Sequence, residues 1–296
     1  MKLKTVLINS LLVVTLLFIH ACANVRPEKK SFFWVAKGKK NLVYLLGSIH
    51  IGTKDMYPMR PAIEKAFQAS DFVAYEINPN ELSRQEKAKL LLKYVFYPSG
   101  KTLKDYVSKK TYHLVKKKLQ DEKLPVRQFM KMRAWFLAIN LLYHQARKSG
   151  LSEKYGVDFY FMGKSQEKRV LGLESFKYHF GFFNKIPHKV HEYNLKLTVE
   201  ELDKSVDELR NMLTYWKTGD IPNLERLMFE PFEKNPILMP LYDKMVVERN
   251  IVMTKKIEKY LQGTRTYFVV AGAGHFVGKK GIIKELRRKG YSVERR

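Results

Sequence analysis

The chain has 296 residues, with 55 Lys or Arg against 29 Asp or Glu, a formal charge of +26. At 45% hydrophobic and 13% aromatic it carries enough apolar side chain to bury a core, which excludes a disordered chain. The single cysteine excludes an intrachain disulfide, and the basic excess speaks to partners and location, not to fold.

The N-terminus reads as a targeting segment. Met1-Lys2-Leu3-Lys4 is cationic, and residues 6–19 form an apolar run broken only by Asn9, Ser10 and Thr15. The run is short for a bilayer span and has the layout of a secretory signal. Cys22 follows directly in Ile19-His20-Ala21-Cys22, which resembles a bacterial lipobox although His20 replaces the usual small residue. The expectation is a signal over residues 1–22, lipidation at Cys22, and an exported, membrane-anchored lipoprotein of a bacterial envelope. Ala23 and Asn24 lack the aspartate of inner-membrane retention, which favours the outer membrane. Residues 23–296 are expected to form one domain with helical insertions at about 80–165 and 180–262.

Four short apolar runs, 42–46, 72–77, 169–173 and 267–271, read as buried strands, and 291–295 as a fifth. Helical spacing covers 80–97, 108–120, 126–148, 187–218, 236–262 and 279–289; Phe129, Met132, Phe136, Ile139 and Leu142 show it. Strand-to-helix alternation predicts an α/β fold, with a central mostly parallel or mixed sheet flanked by helices.

Two strands run into the same turn, Gly47-Ser48-Ile49-His50 and Gly272-Ala273-Gly274-His275. Glycine there permits a tight turn and close backbone approach; Gly47, Gly272 and Gly274 are the motif glycines. In open α/β sheets ligands bind beyond the carboxyl ends of the strands. Those ends carry His50, Glu76, Glu174 and His275. Such a set suits a divalent ion, manganese, cobalt or zinc, with His50, Glu76 and His275 as ligands and Glu174 as a ligand or general base. The plainer readings are structural histidines and a paired core charge at Glu76. Arg249 reads equally as a bidentate clamp for a substrate anion or as a buried partner of Glu174 or Glu76. Asp158 reads first as a helix cap and second as an imidazole partner. His188 and His191 read as surface residues, and His113, His144 and His179 have no motif context. Gly-x-Ser-x-Gly, His-Glu-x-x-His and Gly-x-Gly-x-x-Gly are absent, and Ser99-Gly100-Lys101-Thr102 lacks the first glycine of a phosphate loop because Val95 holds that position.

Taken in order, residues 46–52, Tyr75-Glu76-Ile77, Tyr155-Gly156-Val157-Asp158, Gly172-Leu173-Glu174-Ser175, Glu248-Arg249-Asn250 and 271–278 resemble the TraB/GumN family over about residues 31–295. That family includes the Tiki proteins, membrane-tethered metal-dependent proteases, and is similar to the erythromycin esterase and ChaN groups. The resemblance implies that His50 and His275 are the paired histidines and that Glu76 is the second-strand acid. Glu174 matches the Leu-Glu-Thr site with Ser175 for threonine, and Ser48 likewise replaces a threonine. Arg249 and Asn250 match the family's Arg-Asn pair, which implies substrate binding. The resemblance implies a metal-dependent hydrolase of peptide or ester bonds, with Glu76, Glu174 and Arg249 catalytic and a Tiki-like protease as its sharpest form. Rival expectations are a non-catalytic lipoprotein that carries a metal or haem, and a polyanion-binding protein. Expected partners are a peptide or small-molecule substrate and a membrane, met through the lipid anchor and the basic surface, in preference to nucleic acid.

Overall fold

The apolar runs assemble as a six-stranded mixed sheet: β1 (Phe33–Lys37), β2 (Leu42–Ser48), β3 (Phe72–Ile77), β4 (Arg169–Glu174), β5 (Tyr267–Gly272) and β6 (Ser292–Arg295). The computed structural model describes residues 30–296; the proposed signal and Cys22 lie outside them. Across the sheet the order is β4-β3-β5-β2-β1-β6. β2, β5, β3 and β4 are parallel, and β1 runs antiparallel to both β2 and β6. Val43, Leu45, Val73, Ala74, Phe268 and Val269 are wholly buried, as strands covered on both faces require. Residues Ser31–Arg296 form one compact unit. Among them no helix is long and apolar enough to cross a membrane.

Register positions the site. Gly47 lies opposite Ala271 and Ser48 opposite Gly272, so the two Gly-x-x-His turns leave neighbouring strands at one level. On the other side of β5, Tyr75 of β3 pairs with Val270, and Ile77 pairs with Glu174 of β4. All four strand ends therefore open at the same edge.

The helices depart from the sequence reading at identifiable places. The stretch 126–148 divides into Val126–Phe129 and Ala134–Lys148, because the backbone between them is diverted into pairing with residues 95–103. Leu103 N–H donates to Met130 O, Tyr97 N–H to Lys131 O and Arg133 N–H to Val95 O. The stretch 187–218 breaks between His188–Glu200 and Ser205–Thr218. The helix Ile221–Lys234 has no counterpart in the sequence reading. Its Pro222 sits in the first turn, where a missing N–H costs nothing, and Gly219 at φ +70° ends the helix before it. Within 236–262, a π-helical turn at Asp243–Val247 precedes the helix Glu248–Leu261. These insertions carry apolar clusters of their own. Leu119, Leu137, Leu141 and Leu195 form one, and Trp135 stacked on Phe183 at 3.8 Å anchors another.

His191, expected at the surface, is 5% exposed and donates its Nε2 proton to Phe183 O at 2.8 Å; His188 is exposed as expected. Burial pushes the His191 pKa down to about 4. The unfolded chain binds this proton near pH 6.5, the folded chain only near pH 4. Stability is therefore full above pH 6.5 and falls as the pH drops toward 4. Urea titrations at pH 7 and 4.5 should show wild type losing about 2 kcal/mol more than His191→Gln, which keeps a donor for Phe183. Equal losses would refute this assignment.

Candidate active site

Two imidazoles from opposite ends of the sequence meet around Gly272. A methyl group built on Gly272 would lie 3.4 Å from His50 Nε2, 3.4 Å from Glu76 Oε1 and 3.7 Å from His275 Cδ2. The Gly272 N–H donates to Glu76 Oε1 at 2.7 Å, and His275 Nε2 stands 3.9 Å from the same oxygen. The missing side chain is what keeps the space between the three groups open. Gly47 has a different duty. A Cβ there would meet the Ala273 backbone at 3.0 Å, so glycine lets the two strand ends close together.

Each ring is aimed by its other nitrogen. Val157 N–H donates to Ile49 O, which brings Asp158 beside His50, and Asp158 Oδ1 holds His50 Nδ1 at 3.1 Å. Asp158 thus serves as the imidazole partner; the cap it was expected to form is Gly156 backbone instead. Asn250 Oδ1 accepts from His275 Nδ1 at 2.7 Å, while Asn250 Nδ2 donates to Lys280 O at 2.7 Å. That second bond fixes which way the amide faces. His275 therefore carries its proton on Nδ1, and its Nε2 lone pair points toward Glu76. A histidine anchored at one nitrogen by a carboxylate or amide oxygen, with the other nitrogen free, is how ligating imidazoles are oriented. Both amide ends of Asn250 are engaged, so the substrate-binding role expected of it gives way to orienting His275.

Behind the rings lies a buried ion cluster. Arg249 Nε reaches both Glu174 oxygens at 3.0 Å, and Nη2 reaches Glu76 Oε2 at 2.6 Å. His179, which the sequence left without a role, completes it: its Nδ1 lies 3.2 Å from Glu174 Oε2 and from Arg249 Nη2. The Glu174 side chain is 0% exposed. It faces Arg249 and not the cavity, so the arrangement gives it a holding role where a ligand or general base was expected. Ser175 caps the next helix by accepting from Tyr178 N–H, a duty a threonine hydroxyl would also fill.

Electrostatics separate the groups. Burial opposes charge on Glu76, but Arg249 and then the neighbouring imidazoles hold its carboxyl well below the usual range. Burial pushes His275 down to about 4 against the pull of Glu76, leaving a neutral ring. Around His50, desolvation works against the charge while Asp158, then Glu76, outweigh it and raise the pKa to about 9, so an ion that takes its Nε2 must displace a proton. Half of the His50 side chain is open to solvent, which sets it at the mouth of the pocket.

These residues floor a cavity of about 450 Å³. Its walls are apolar and come from the insertions: Ile139 and Leu142, Leu209 and Met212, Met228, and Met245. The donor chemistry fits a divalent ion. Two atoms bound to one metal at about 2.0–2.2 Å stand roughly 3–4 Å apart, as His275 Nε2 and Glu76 Oε1 do. The full set is wider than a loaded centre. Among the described residues no group of three or more His, Cys, Asp or Glu stands at metal-holding spacing.

Fold and site together define an α/β protein whose two histidines and one glutamate gather beyond the ends of parallel strands, under a helical cover. The chain belongs to the TraB/PrgY/gumN family, whose model matches residues 32–295. It is similar to Uncharacterized protein YbaP of Escherichia coli (strain K12), at 25% identity over 82% of this chain and 87% of that protein. It is also similar to Metalloprotease TIKI1 of Danio rerio, at 22% identity over 92% of this chain and 65% of the relative, and to Metalloprotease TIKI1 of Homo sapiens, at 23% over 91% and 62%. The chain thus spans less than two thirds of the length of these two metalloproteases. No solved structure matches it.

Proposed function

We propose that the chain is a metal-dependent hydrolase acting on a peptide or ester bond, and that a Tiki-like metalloprotease is its sharpest form. The observation that carries the reading is the approach of His50 Nε2, Glu76 Oε1 and the His275 ring to Gly272, with His275 Nε2 3.9 Å from that oxygen, at the floor of an apolar-walled cavity. His50, His275 and Glu76 would hold the ion, manganese, cobalt or zinc. The chemistry it supplies there is Lewis-acid polarisation of the scissile carbonyl. Asp158 and Asn250 keep the two Nε2 atoms aimed inward. Arg249, which also lines the cavity, holds Glu76 in place and presents a fixed positive charge toward a substrate oxygen. Glu174 and His179 hold Arg249. The apolar walls bind side chains of the substrate and exclude water, which strengthens each electrostatic contact inside.

The test is hydrolysis of peptide and ester panels by the purified chain, before and after chelation and on return of manganese, cobalt or zinc. Activity should vanish with chelator and return with one of these ions. A chain that takes up metal tightly yet turns over neither panel would be the carrier lipoprotein, and the hydrolase reading would fall. Export and lipid anchoring at Cys22, with an outer-membrane position, belong to the same proposal and rest on residues 1–24; absence of labelled palmitate on Cys22 in bacterial cells would remove the anchor, and recovery of the uncleaved chain in the cytoplasm would remove export.

A further inference from the structure

A second cavity, of about 430 Å³, opens where the helix Glu248–Leu261 packs against the helix Ile282–Arg288 and the loop leading into it. Six cationic side chains line it: Lys255, Lys279, Lys280, Lys284, Arg288 and Lys289. Only two carboxylates, Glu258 and Glu285, stand among them, and both are engaged. Glu285 holds Arg288 at 2.7 Å and Glu258 holds Lys289 at 3.2 Å. Lys279 lies 3.9 Å from Glu233, with both ends largely in solvent, a contact worth little. Lys255, Lys280 and Lys284 have no carboxylate within ion-pair distance among the described residues.

Lys255 and Lys284 have no carboxylate partner, Lys280 feels only the longer-range pull of Glu285, which Arg288 already holds, and an anion seated among the three ammonium groups offsets their mutual repulsion. The scattered lysines of a solvated helix face point apart. These instead come from two helices and a loop and share one hollow. We propose that this cavity binds a phosphate group. A phosphate presents several acceptor oxygens and more than one negative charge, so it can serve three ammonium groups at once where a carboxylate satisfies fewer. Asn250 and Thr254 also line the hollow, and Thr254 keeps a buried hydroxyl with no partner. Val247 and the 51% exposed Ile251 form an apolar margin beside the cations. The phosphate can therefore belong to a free anion or to the headgroup of an anionic lipid, whose acyl end would meet Ile251. The hollow backs onto the proposed catalytic site through Asn250, which holds His275 and Lys280 O, and its binding is read in chelator, without turnover.

Isothermal titration of the full chain with inorganic pyrophosphate, in chelator, tests the first source; sedimentation with phosphatidylglycerol against phosphatidylcholine vesicles tests the second. The double variant Lys255→Gln/Lys284→Gln should raise the Kd about tenfold in whichever arm binds. The charge-matched Lys109→Gln/Lys110→Gln, on the exposed start of another helix, should leave it unchanged. Pyrophosphate binding assigns a free phosphate, and binding confined to phosphatidylglycerol assigns a headgroup. Equal loss in the two variants would show attraction to overall charge alone and overturn the site. Absence of binding in both arms would also overturn it.

Discussion

Arg249→Met should lower the unfolding free energy by about 3–5 kcal/mol, the range for removing one partner from a buried ion pair. Arg249 is buried and serves Glu174 with one face of its guanidinium and Glu76 with the other. Methionine matches its apolar stem but leaves two buried carboxylates without their cation, Glu174 beside His179 and Glu76 beside the Gly272 N–H, His275 and His50. Each must then bind a proton or remain charged in a poor solvent, and either outcome is unfavourable. Glu174→Gln is milder, because Arg249 keeps Glu76. The double variant Arg249→Met/Glu174→Gln should be less damaged than the sum of the two singles, since the glutamine removes one of the stranded charges. Urea denaturation measures all three. A loss below about 1 kcal/mol for Arg249→Met, the worth of an exposed pair, would show that the cluster does not hold the strand ends together.

The second large effect needs only one carbon. Gly272→Ala places a methyl at ordinary contact distance, 3.4 Å, from His50 Nε2 and Glu76 Oε1. Gly272 has φ −51° and ψ 136°, a conformation that alanine adopts without strain. The fold and the melting curve should therefore survive, while the methyl fills the space where the proposed ion would sit. Metal uptake should be lost. Hydrolysis should fall by about 10³-fold, the equivalent of the several kcal/mol a Lewis acid contributes. A Gly272→Ala protein with normal metal content and normal turnover would mean that the space around Gly272 is not the reaction centre.

The inner parallel strands were legible because each is a run of apolar residues covered on both faces, as Tyr267–Gly272 is; the edge strand Arg169–Glu174 is only partly buried, yet its Val-Leu core carries the same local signal. β1 was missed. Phe33–Lys37 is five residues between a polar N-terminal stretch and Gly38-Lys39-Lys40, and it acquires strand character only by pairing with β2 and β6. The helix Ile221–Lys234 carries Pro222 and Pro231, a residue type that disfavours helix interiors, though the first occupies a position where proline is tolerated. The site followed the same division. His50 and His275 announced themselves through a duplicated turn, and Glu76 through its place at a strand end. Asp158 lies 108 positions from the ring it orients, and His179 is 70 positions from Arg249. Asp158 stands in the motif at 155–158 and reads second as an imidazole partner, whereas no local pattern marks His179, because what brings it to Arg249 is tertiary packing alone. Burial was equally invisible. Glu174 and Asn250 looked available for substrate chemistry in the sequence, and only packing shows their polar atoms already bound to Arg249, His275 and Lys280 O.

The most direct test is anomalous diffraction from crystals grown with manganese. A peak between His50 Nε2, His275 Nε2 and Glu76 Oε1, beside Gly272, is the result this account requires. Full manganese occupancy elsewhere in the molecule, with those three atoms bare of it, would contradict the shared centre on which the proposed hydrolase rests.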